Sequence, residues 1–355
     1  MKIHNVIKKN VLGQNAYAVE ECEYAIKMDA NENPYTLSPH LTEELFESLS
    51  RIPLNRYPAP GSPSLRRLFA DKYGVDENMI LIGNGSDELI HILLTALVTS
   101  SKRGVIIPVP TFAIYRIGAL NTGHQVLEIP LDGEFDLDLD AILDVIARRD
   151  PEAIFLSYPN NPTGNCYSDD RIGSILTASR GIVVVDEAYF NFSGRTFLPR
   201  LKEFKNLIIL RTLSKVGLAA LRIGILVGHS EVVRELNKVR LPYNLNTISQ
   251  AAAEFFFTHE QEFMGQIQTI VSHREWLLKE MRKMKGIGVH PTNSNFILFS
   301  CQHDKDSVYS NLLQRGILIK NFGNVGPLSG CFRVTVGTDK ENTAFVEALK
   351  DILNP

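Results

Sequence analysis

The sequence predicts a two-domain α/β protein whose larger domain is built on a mostly parallel β-sheet. Between residues 80 and 227, short apolar runs alternate with segments of helical periodicity. This alternation is typical of parallel strands that helices cover on both faces. After about residue 245 a long helical stretch and shorter strands follow, which indicates a smaller α+β domain. A chain of 355 residues is also longer than one compact core usually supports.

The elements of the large domain follow from hydrophobic spacing. Leu41, Leu45 and Leu49 recur at helical spacing behind Ser38, so a helix is expected there. The other helices expected in this half are 64–73, 89–99, one beginning near 110, and 141–148. The strands expected in a seven-stranded sheet are 80–82, 105–109, 126–129, 153–157, 182–185, 207–210 and 223–227.

The second half of the chain predicts a different organisation. Helical stretches are expected at 247–285, 305–314 and 340–353, and strands at 287–290, 296–299, 317–319 and 332–336. Phe255, Phe256, Phe257 and Trp276 are interpreted as core residues. We therefore expect an N-terminal arm and first helix (1–45) that packs with the small domain, a large domain (46–245), and a linking helix with the small domain (246–355).

Composition limits the class of protein. The formal net charge of −3 and the ordinary charged fraction of 22% argue against a nucleic-acid-binding protein, which would normally be basic. No apolar run approaches the length of a membrane span, and the first residues lack the apolar core of a signal peptide. We expect a cytoplasmic protein. The cysteines form no CxxC pair and the histidines do not cluster, so no protein-held metal is expected.

Residues of unusual chemical variety follow the predicted parallel strands. In such sheets ligands bind beyond the carboxyl ends of the strands. The residues expected at that edge are Gly85, Phe112, Asn161, Asp186 and Lys215. A lysine after a strand is most often a solvated surface group, but one that is partly desolvated becomes a nucleophile.

This set of groups indicates a cofactor. A lysine amine, a carboxylate on a neighbouring strand, an aromatic ring and a glycine turn before a helix fit pyridoxal phosphate (PLP). The competing interpretation of the glycine turn is a nicotinamide site, but Gly83-Asn84-Gly85 lacks the third glycine of that motif. Ser86 or Asp87 could also be an ordinary helix cap.

Longer motifs point to a family. They are Asp29-Ala30-Asn31-Glu32-Asn33-Pro34, Arg56-Tyr57-Pro58, Gly85-Ser86-Asp87-Glu88, Pro110-Thr111-Phe112, Pro159-Asn160-Asn161-Pro162-Thr163-Gly164, Asp186-Glu187-Ala188-Tyr189, Thr212-Leu213-Ser214-Lys215 with Arg222, and Phe332-Arg333-Val334-Thr335-Val336-Gly337. With them the chain resembles the fold-type I PLP-dependent aminotransferases. The Asn-Glu-Asn-Pro and Arg-Tyr-Pro motifs resemble the histidinol-phosphate branch and its close relatives.

The resemblance implies roles for the cofactor residues. Lys215 would bind PLP covalently and then move protons, Asp186 would pair with the ring nitrogen, and Tyr189 would act with them. Asn161 and Tyr189 would hydrogen-bond the ring oxygen, and Phe112 would stack on the ring. The residues implied to hold the phosphate are Ser86, Asp87, Thr212, Ser214 and Arg222, with Tyr57 from the second subunit of a homodimer.

The resemblance also implies the substrates. Arg333 would bind the carboxylate of glutamate, although the pattern alone equally allows a solvent-facing strand residue. Tyr17 and Asn33 match substrate-side positions, and Lys320 stands where many relatives have a phosphate-binding arginine. Lysine keeps the charge of arginine but loses its fork.

The activity implied is amino transfer between histidinol phosphate and 2-oxoglutarate in histidine biosynthesis. The alternatives are a threonine-phosphate decarboxylase, an aromatic-amino-acid aminotransferase and a PLP-binding regulator without turnover. Such a regulator usually carries an added DNA-binding domain, and nothing before Asp29 is long or basic enough to be one.

Overall fold

The computed structural model describes residues 5–16, 22–323 and 326–353. Its strands, numbered in chain order, are β1 (Ile26–Met28), β2 (Ile80–Asn84), β3 (Val105–Val109), β4 (Val126–Pro130), β5 (Ala153–Ser157), β6 (Ile182–Asp186), β7 (Leu207–Thr212), β8 (Ile223–Gly228), β9 (Ile287–Val289), β10 (Phe296–Cys301), β11 (Ile317–Asn321) and β12 (Cys331–Thr335). Its α-helices are α1 (Lys9–Leu12), α2 (Pro39–Ser50), α3 (Pro63–Tyr73), α4 (Ser86–Ala96), α5 (Ala113–Thr122), α6 (Leu139–Arg149), α7 (Asp169–Ala178), α8 (Phe190–Ser193), α9 (Ser230–Leu236), α10 (Thr247–Thr258), α11 (Glu260–Arg282), α12 (Lys305–Gln314) and α13 (Asp339–Leu353).

The large sheet has seven strands in the order β2-β8-β7-β6-β5-β3-β4. The five strands from β7 to β4 pair in parallel. Only β8 runs the other way, antiparallel to both β7 and β2. The predicted mostly parallel, seven-stranded α/β sheet is confirmed, and the carboxyl ends of its parallel strands meet at one edge.

Helices cover both faces of this sheet, which explains why its central strands are mostly apolar. In β6, Val183 and Val185 pack into one hydrophobic cluster while Val184 packs into another on the opposite face. Side chains of α3, α6 and α7 complete the first cluster, and those of α4, α5 and α9 complete the second. Because successive side chains point to opposite faces, a strand that is buried on both sides has few positions that can carry an unpaired polar group.

The small sheet has five strands in the order β1-β11-β12-β10-β9. Residues of α11, α12 and α13 fill a separate hydrophobic cluster against it, so the predicted smaller α+β unit is present. Its edge strand β1 comes from the N-terminal arm and pairs in parallel with β11. The arm that contains β1 shows little hydrophobic periodicity, so the sequence did not indicate this strand. The domain limits at residues 45 and 245 stay a prediction.

The helical stretch predicted at 247–285 is two helices. The chain turns at His259, where α10 ends and α11 begins. α10 buries Phe256 in the large core, whereas α11 passes from that core at Phe263 to the small core at Met281. Trp276 was expected in the core, but it is 38% exposed. It lies one residue, roughly 100° around the helix, from the buried Leu277.

Several large apolar side chains remain exposed on this chain. They include Phe46, Leu54, Tyr57, Leu241 and Tyr243. The rings of Tyr57 and Tyr243 stack with their centroids 4.6 Å apart, so the two segments that carry these residues meet on the surface. Within the described ranges, no helix has both the length and the apolar character needed to cross a membrane.

A buried ion pair lies just behind the carboxyl edge. Arg211 donates to Glu187 Oε2 from Nε at 3.0 Å and from Nη2 at 2.8 Å. Its guanidinium also lies over the rings of Phe190 and Tyr73. Both charged side chains are buried. If one of them is removed, water cannot solvate the charge of the other.

Replacing Arg211 by Met should therefore lower the free energy of unfolding by about 3–5 kcal/mol, because the Glu187 carboxylate would stay buried without its cation. Chemical unfolding of the wild type and the variant would measure this.

Arg200 offers a matched control, since it donates to Glu203 at 2.8 Å on the surface. Its change to Ala should cost at most about 1 kcal/mol. Equal losses from the two variants would contradict the importance of burial.

Candidate active site

Most of the predicted site residues converge at the carboxyl edge of the large sheet. Asp186 ends β6 and Thr212 ends β7, with Lys215 in the turn that follows. The other residues brought to this edge are Phe112 just before α5, Asn161 after β5, Tyr189 just before α8, and Ser86 and Asp87 at the start of α4. Parallel pairing explains the convergence, because each of these residues follows the end of a strand.

Asp186 is a buried carboxyl group with its two oxygens held in place. Oδ2 accepts from the Tyr115 hydroxyl at 2.7 Å, and Oδ1 accepts from the Ala188 backbone N–H at 3.0 Å. Burial raises the pKa of this carboxyl to about 6, and the Tyr115 hydrogen bond opposes that rise. A cationic N–H placed against such a group would restore favourable ionisation of the carboxylate.

The Lys215 amine is set apart from ordinary surface lysines. Its pKa is lowered to about 8, first because burial disfavours the charged form and second because the positive charge of Arg333 lies nearby. Nζ donates to the Ala30 carbonyl in the N-terminal arm at 3.3 Å. At neutral pH about one such amine in ten is unprotonated, far more than for a lysine of pKa about 10.4, and the neutral amine is the nucleophilic form.

A tight approach of backbones shapes the start of α4. Gly85 has a φ of +82°, and a Cβ placed there would lie 2.6 Å from the Arg222 guanidinium. Behind it, a Cβ on Gly224 would lie 2.4 Å from the Ser86 nitrogen. The two glycines let an arginine and a helix N-terminus face the same small space, which suits an anion.

Hydroxyl groups border this space on the β7 side. Thr212 Oγ1 lies 2.9 Å from Ser214 Oγ and accepts from the Ser214 backbone N–H at 3.0 Å. Arg222 Nη2 donates to Asp87 Oδ2 at 3.1 Å, and both side chains are about half exposed. The Asp87 carboxylate would repel an anion, so its backbone N–H is the group that fits one.

Arg333 reaches from the small sheet into this site. It is only 9% exposed, so the solvent-facing alternative is wrong. Nη2 donates to the Asp29 carbonyl at 2.6 Å, and Nη1 donates to Asn161 Oδ1. The guanidinium thus joins β12, the N-terminal arm and the loop after β5.

Lys320 lies beside Arg333. The two residues are register partners in the antiparallel pair of β11 and β12, so their side chains leave the same face of the sheet. Like charges directly opposite one another are unfavourable by themselves. An anion between them would relieve this repulsion.

Two residues that sequence reasoning did not single out complete the site. Tyr115 anchors Asp186, as described above. Asn31 donates from Nδ2 to the Tyr189 hydroxyl at 2.9 Å, and it is buried with a left-handed φ of 55°. The sequence held one signal for each residue. Tyr115 lies three positions after Phe112, on the same helical face, and Asn31 lies in a turn motif. Asparagine tolerates the left-handed conformation better than most residues.

Two predicted residues, Tyr57 and Asn33, have surroundings different from those expected. Tyr57 is 81% exposed and stacks on Tyr243. The Asn33 side chain bonds to protein groups, namely the Val216 carbonyl and Gln266. Tyr17 lies outside the described residues.

In the described part of the chain, no group of three or more His, Cys, Asp or Glu side chains is arranged to hold a metal ion.

Comparisons with known proteins give a family. The family described as aminotransferase class I and II matches residues 24–349. Histidinol-phosphate aminotransferase 2 of Nitrosococcus oceani is 44% identical over 347 residues, which cover 97% of this chain and 96% of that protein. Histidinol-phosphate aminotransferase of Aquifex aeolicus is 40% identical over 348 residues, covering 98% of each chain.

A solved structure supports the same fold. Histidinol-phosphate aminotransferase of Sinorhizobium meliloti, in complex with pyridoxal-5'-phosphate, superposes with a TM-score of 0.84. The match covers 93% of this chain and 91% of that one at 23% identity. At this identity it shows a shared fold and nothing about activity.

The lowered pKa of Lys215 predicts unusual reactivity. In the protein without cofactor, acylation of this amine should rise with a midpoint near pH 8, where the neutral form becomes populated. Peptide mass spectrometry across a pH series would measure it.

Arg333 variants provide the comparison for this experiment. Arg333→Met should move the midpoint upward, because a nearby positive charge is removed, whereas Arg333→Lys should change it little. A wild-type midpoint near the ordinary lysine value of about 10.4 would contradict the burial argument.

Proposed function

Because this chain belongs to the aminotransferase class I and II family, we propose that it is a histidinol-phosphate transaminase. The reaction moves an amino group between L-histidinol phosphate and 2-oxoglutarate, giving imidazole acetol phosphate and L-glutamate, in L-histidine biosynthesis. The observation that carries this proposal is the cation pair of Arg333 and Lys320 beside the Lys215 site. One substrate carries a phosphate and the other carries carboxylates, and each of these anionic groups would be bound by a cation.

PLP fits the residues at the carboxyl edge. The cradle of Gly85, Gly224 and Arg222 suits its phosphate, the buried Asp186 carboxyl suits its ring nitrogen, and the Lys215 amine suits its aldehyde. When bound, PLP supplies an aldehyde that condenses with amines and a ring that withdraws electrons from the carbon that loses a proton.

The chain's own residues would divide the work as follows. Lys215 would hold the cofactor through its amine, and the same amine would give a proton to the substrate carbon or take one from it; a pKa near 8 suits both directions of transfer at neutral pH. Asp186 would keep the ring nitrogen protonated. Asn161 and Tyr189 would donate hydrogen bonds to the ring oxygen, and Phe112 would stack on the ring face.

The phosphate end of the cofactor would be held by several donors together. These are the N-terminal N–H groups of α4 at Ser86 and Asp87, the hydroxyls of Thr212 and Ser214, and the Arg222 guanidinium. At the other end, Arg333 would take the glutamate carboxylate with its fork and Lys320 the substrate phosphate as a point charge. Tyr17 is proposed on the substrate side as well.

We also propose that the enzyme is a cytoplasmic homodimer with shared active sites. The exposed stack of Tyr57 on Tyr243 supports this, because exposed aromatic surface commonly marks protein interfaces. Tyr57 would then reach the cofactor phosphate of the partner subunit.

A single-turnover experiment tests the reaction. When the cofactor-loaded enzyme meets histidinol phosphate without an oxoacid, the visible absorbance of the lysine-bound cofactor should disappear. It should return when 2-oxoglutarate is added, because the amino group then leaves the enzyme. Unphosphorylated histidinol should react far more slowly, since Lys320 would have no phosphate to bind.

Other outcomes would decide against this reaction. Conversion by an aromatic amino acid but not by histidinol phosphate would keep the aminotransferase and remove the substrate assignment. Release of CO₂ from threonine phosphate, without conversion by any amine, would identify a decarboxylase.

Shared active sites predict complementation between two inactive variants. Lys215→Ala removes the reactive amine and Tyr57→Ala removes the contact given to the partner. After the two are mixed and allowed to exchange subunits, each hybrid dimer contains one intact site, so activity should rise well above that of either variant. No recovery in a dimer that demonstrably exchanges subunits would show that Tyr57 serves its own chain.

A further inference from the structure

We propose that Asn33 is a positioning residue, which holds the turn that carries Lys215 and does not contact substrate. The proposal rests on the proposed role of Lys215 and assigns to Asn33 a task different from the substrate-side one that the family resemblance implied. It follows from the way in which the Asn33 amide is used.

Every polar group of the Asn33 side chain already has a partner in the protein. Nδ2 donates one hydrogen to the Val216 carbonyl at 3.1 Å and the other to Gln266 Oε1 at 2.9 Å. Oδ1 accepts from the Tyr35 backbone N–H at 2.8 Å. An asparagine has only two amide hydrogens to donate, so donation to substrate would require breaking one of these bonds.

The shape of the lysine turn shows that it accommodates this contact. Gly217, two residues after Lys215, has a φ of +114°, a conformation that favours glycine. A Cβ at Gly217 would lie 3.1 Å from Asn33 Nδ2, closer than side chains normally pack. The glycine therefore permits both the bend of the turn and the close approach of the amide.

The N-terminal arm contacts both the side-chain amine of Lys215 and the backbone that follows it. The Ala30 carbonyl accepts from Lys215 Nζ at 3.3 Å, while Asn33 bonds the backbone one residue beyond Lys215. Gln266 secures the arm in turn, because its Nε2 donates to the Thr36 carbonyl at 3.3 Å. The arm and α11 thus hold the turn between them. We call this set of contacts the clamp; it consists of Asn33, Gln266 and the Val216 carbonyl.

Amide hydrogen exchange in the protein without cofactor tests the clamp directly. Asn33→Ala should speed exchange in the peptide spanning 213–221 by about tenfold, the effect of losing a partly buried hydrogen bond. Gln266→Ala should give a smaller increase in the same peptide, since Asn33 then keeps its bond to the Val216 carbonyl.

Asn206→Ala is the matched control. This half-buried asparagine also donates to backbone carbonyls, those of Leu176, Ser179 and Gly181. It precedes β7, at the opposite edge of the sheet from Lys215. Its loss should change exchange locally and leave the 213–221 peptide unaffected. An Asn33→Ala protein with wild-type exchange in that peptide would overturn the proposal.

Steady-state kinetics separate positioning from substrate binding. With a misplaced lysine, kcat of Asn33→Ala should fall about tenfold or more, while KM for histidinol phosphate stays within about twofold. A raised KM with unchanged kcat would instead make Asn33 a substrate residue. Because the exchange experiment uses no substrate, its result stands even if histidinol phosphate proves not to be the substrate.

Discussion

The structure depends on one arginine that ties three parts of the chain together. The Arg333 guanidinium extends from β12 of the small sheet, donates to the arm at Asp29 and to the large-sheet loop at Asn161, and lies over the ring of Phe296. A planar fork can satisfy two acceptors in different directions at once. The site therefore exists only where both sheets and the arm meet, and no single domain contains it.

Burial gives this site two groups whose pKa values move toward each other. Burial is the largest cause of both shifts, since it raises the pKa of the Asp186 carboxyl and lowers the pKa of the Lys215 amine. Two groups that both titrate near neutral pH can exchange protons with a ligand at little cost. The buried ion pair of Glu187 and Arg211 behind them has a different role. Its opposite charges compensate each other, and it stabilises the packing of the core.

The sequence was most informative about the large sheet and the residues at the ends of its strands. Continuous apolar runs predict strands that are buried on two faces, and parallel pairing then places Asp186 and Lys215 at one edge. Periodicity could not reveal β1, which lies in an arm without a regular hydrophobic pattern, or that Trp276 lies beside the buried face of α11 and not on it. Partners distant in the chain were equally hidden, because neither the bond from Asn31 to Tyr189 nor that from Asn33 to Val216 leaves a local pattern.

The short strand β1 connects the N-terminal arm to the small sheet. It pairs with β11 up to Met28, and the turn that touches Lys215 begins at the next residue. Ala30 and Asn33, which contact Lys215 and the backbone after it, are therefore continuous in the chain with an edge strand of the small sheet. The surroundings of the lysine depend on where that sheet lies, although Lys215 itself follows a strand of the large sheet.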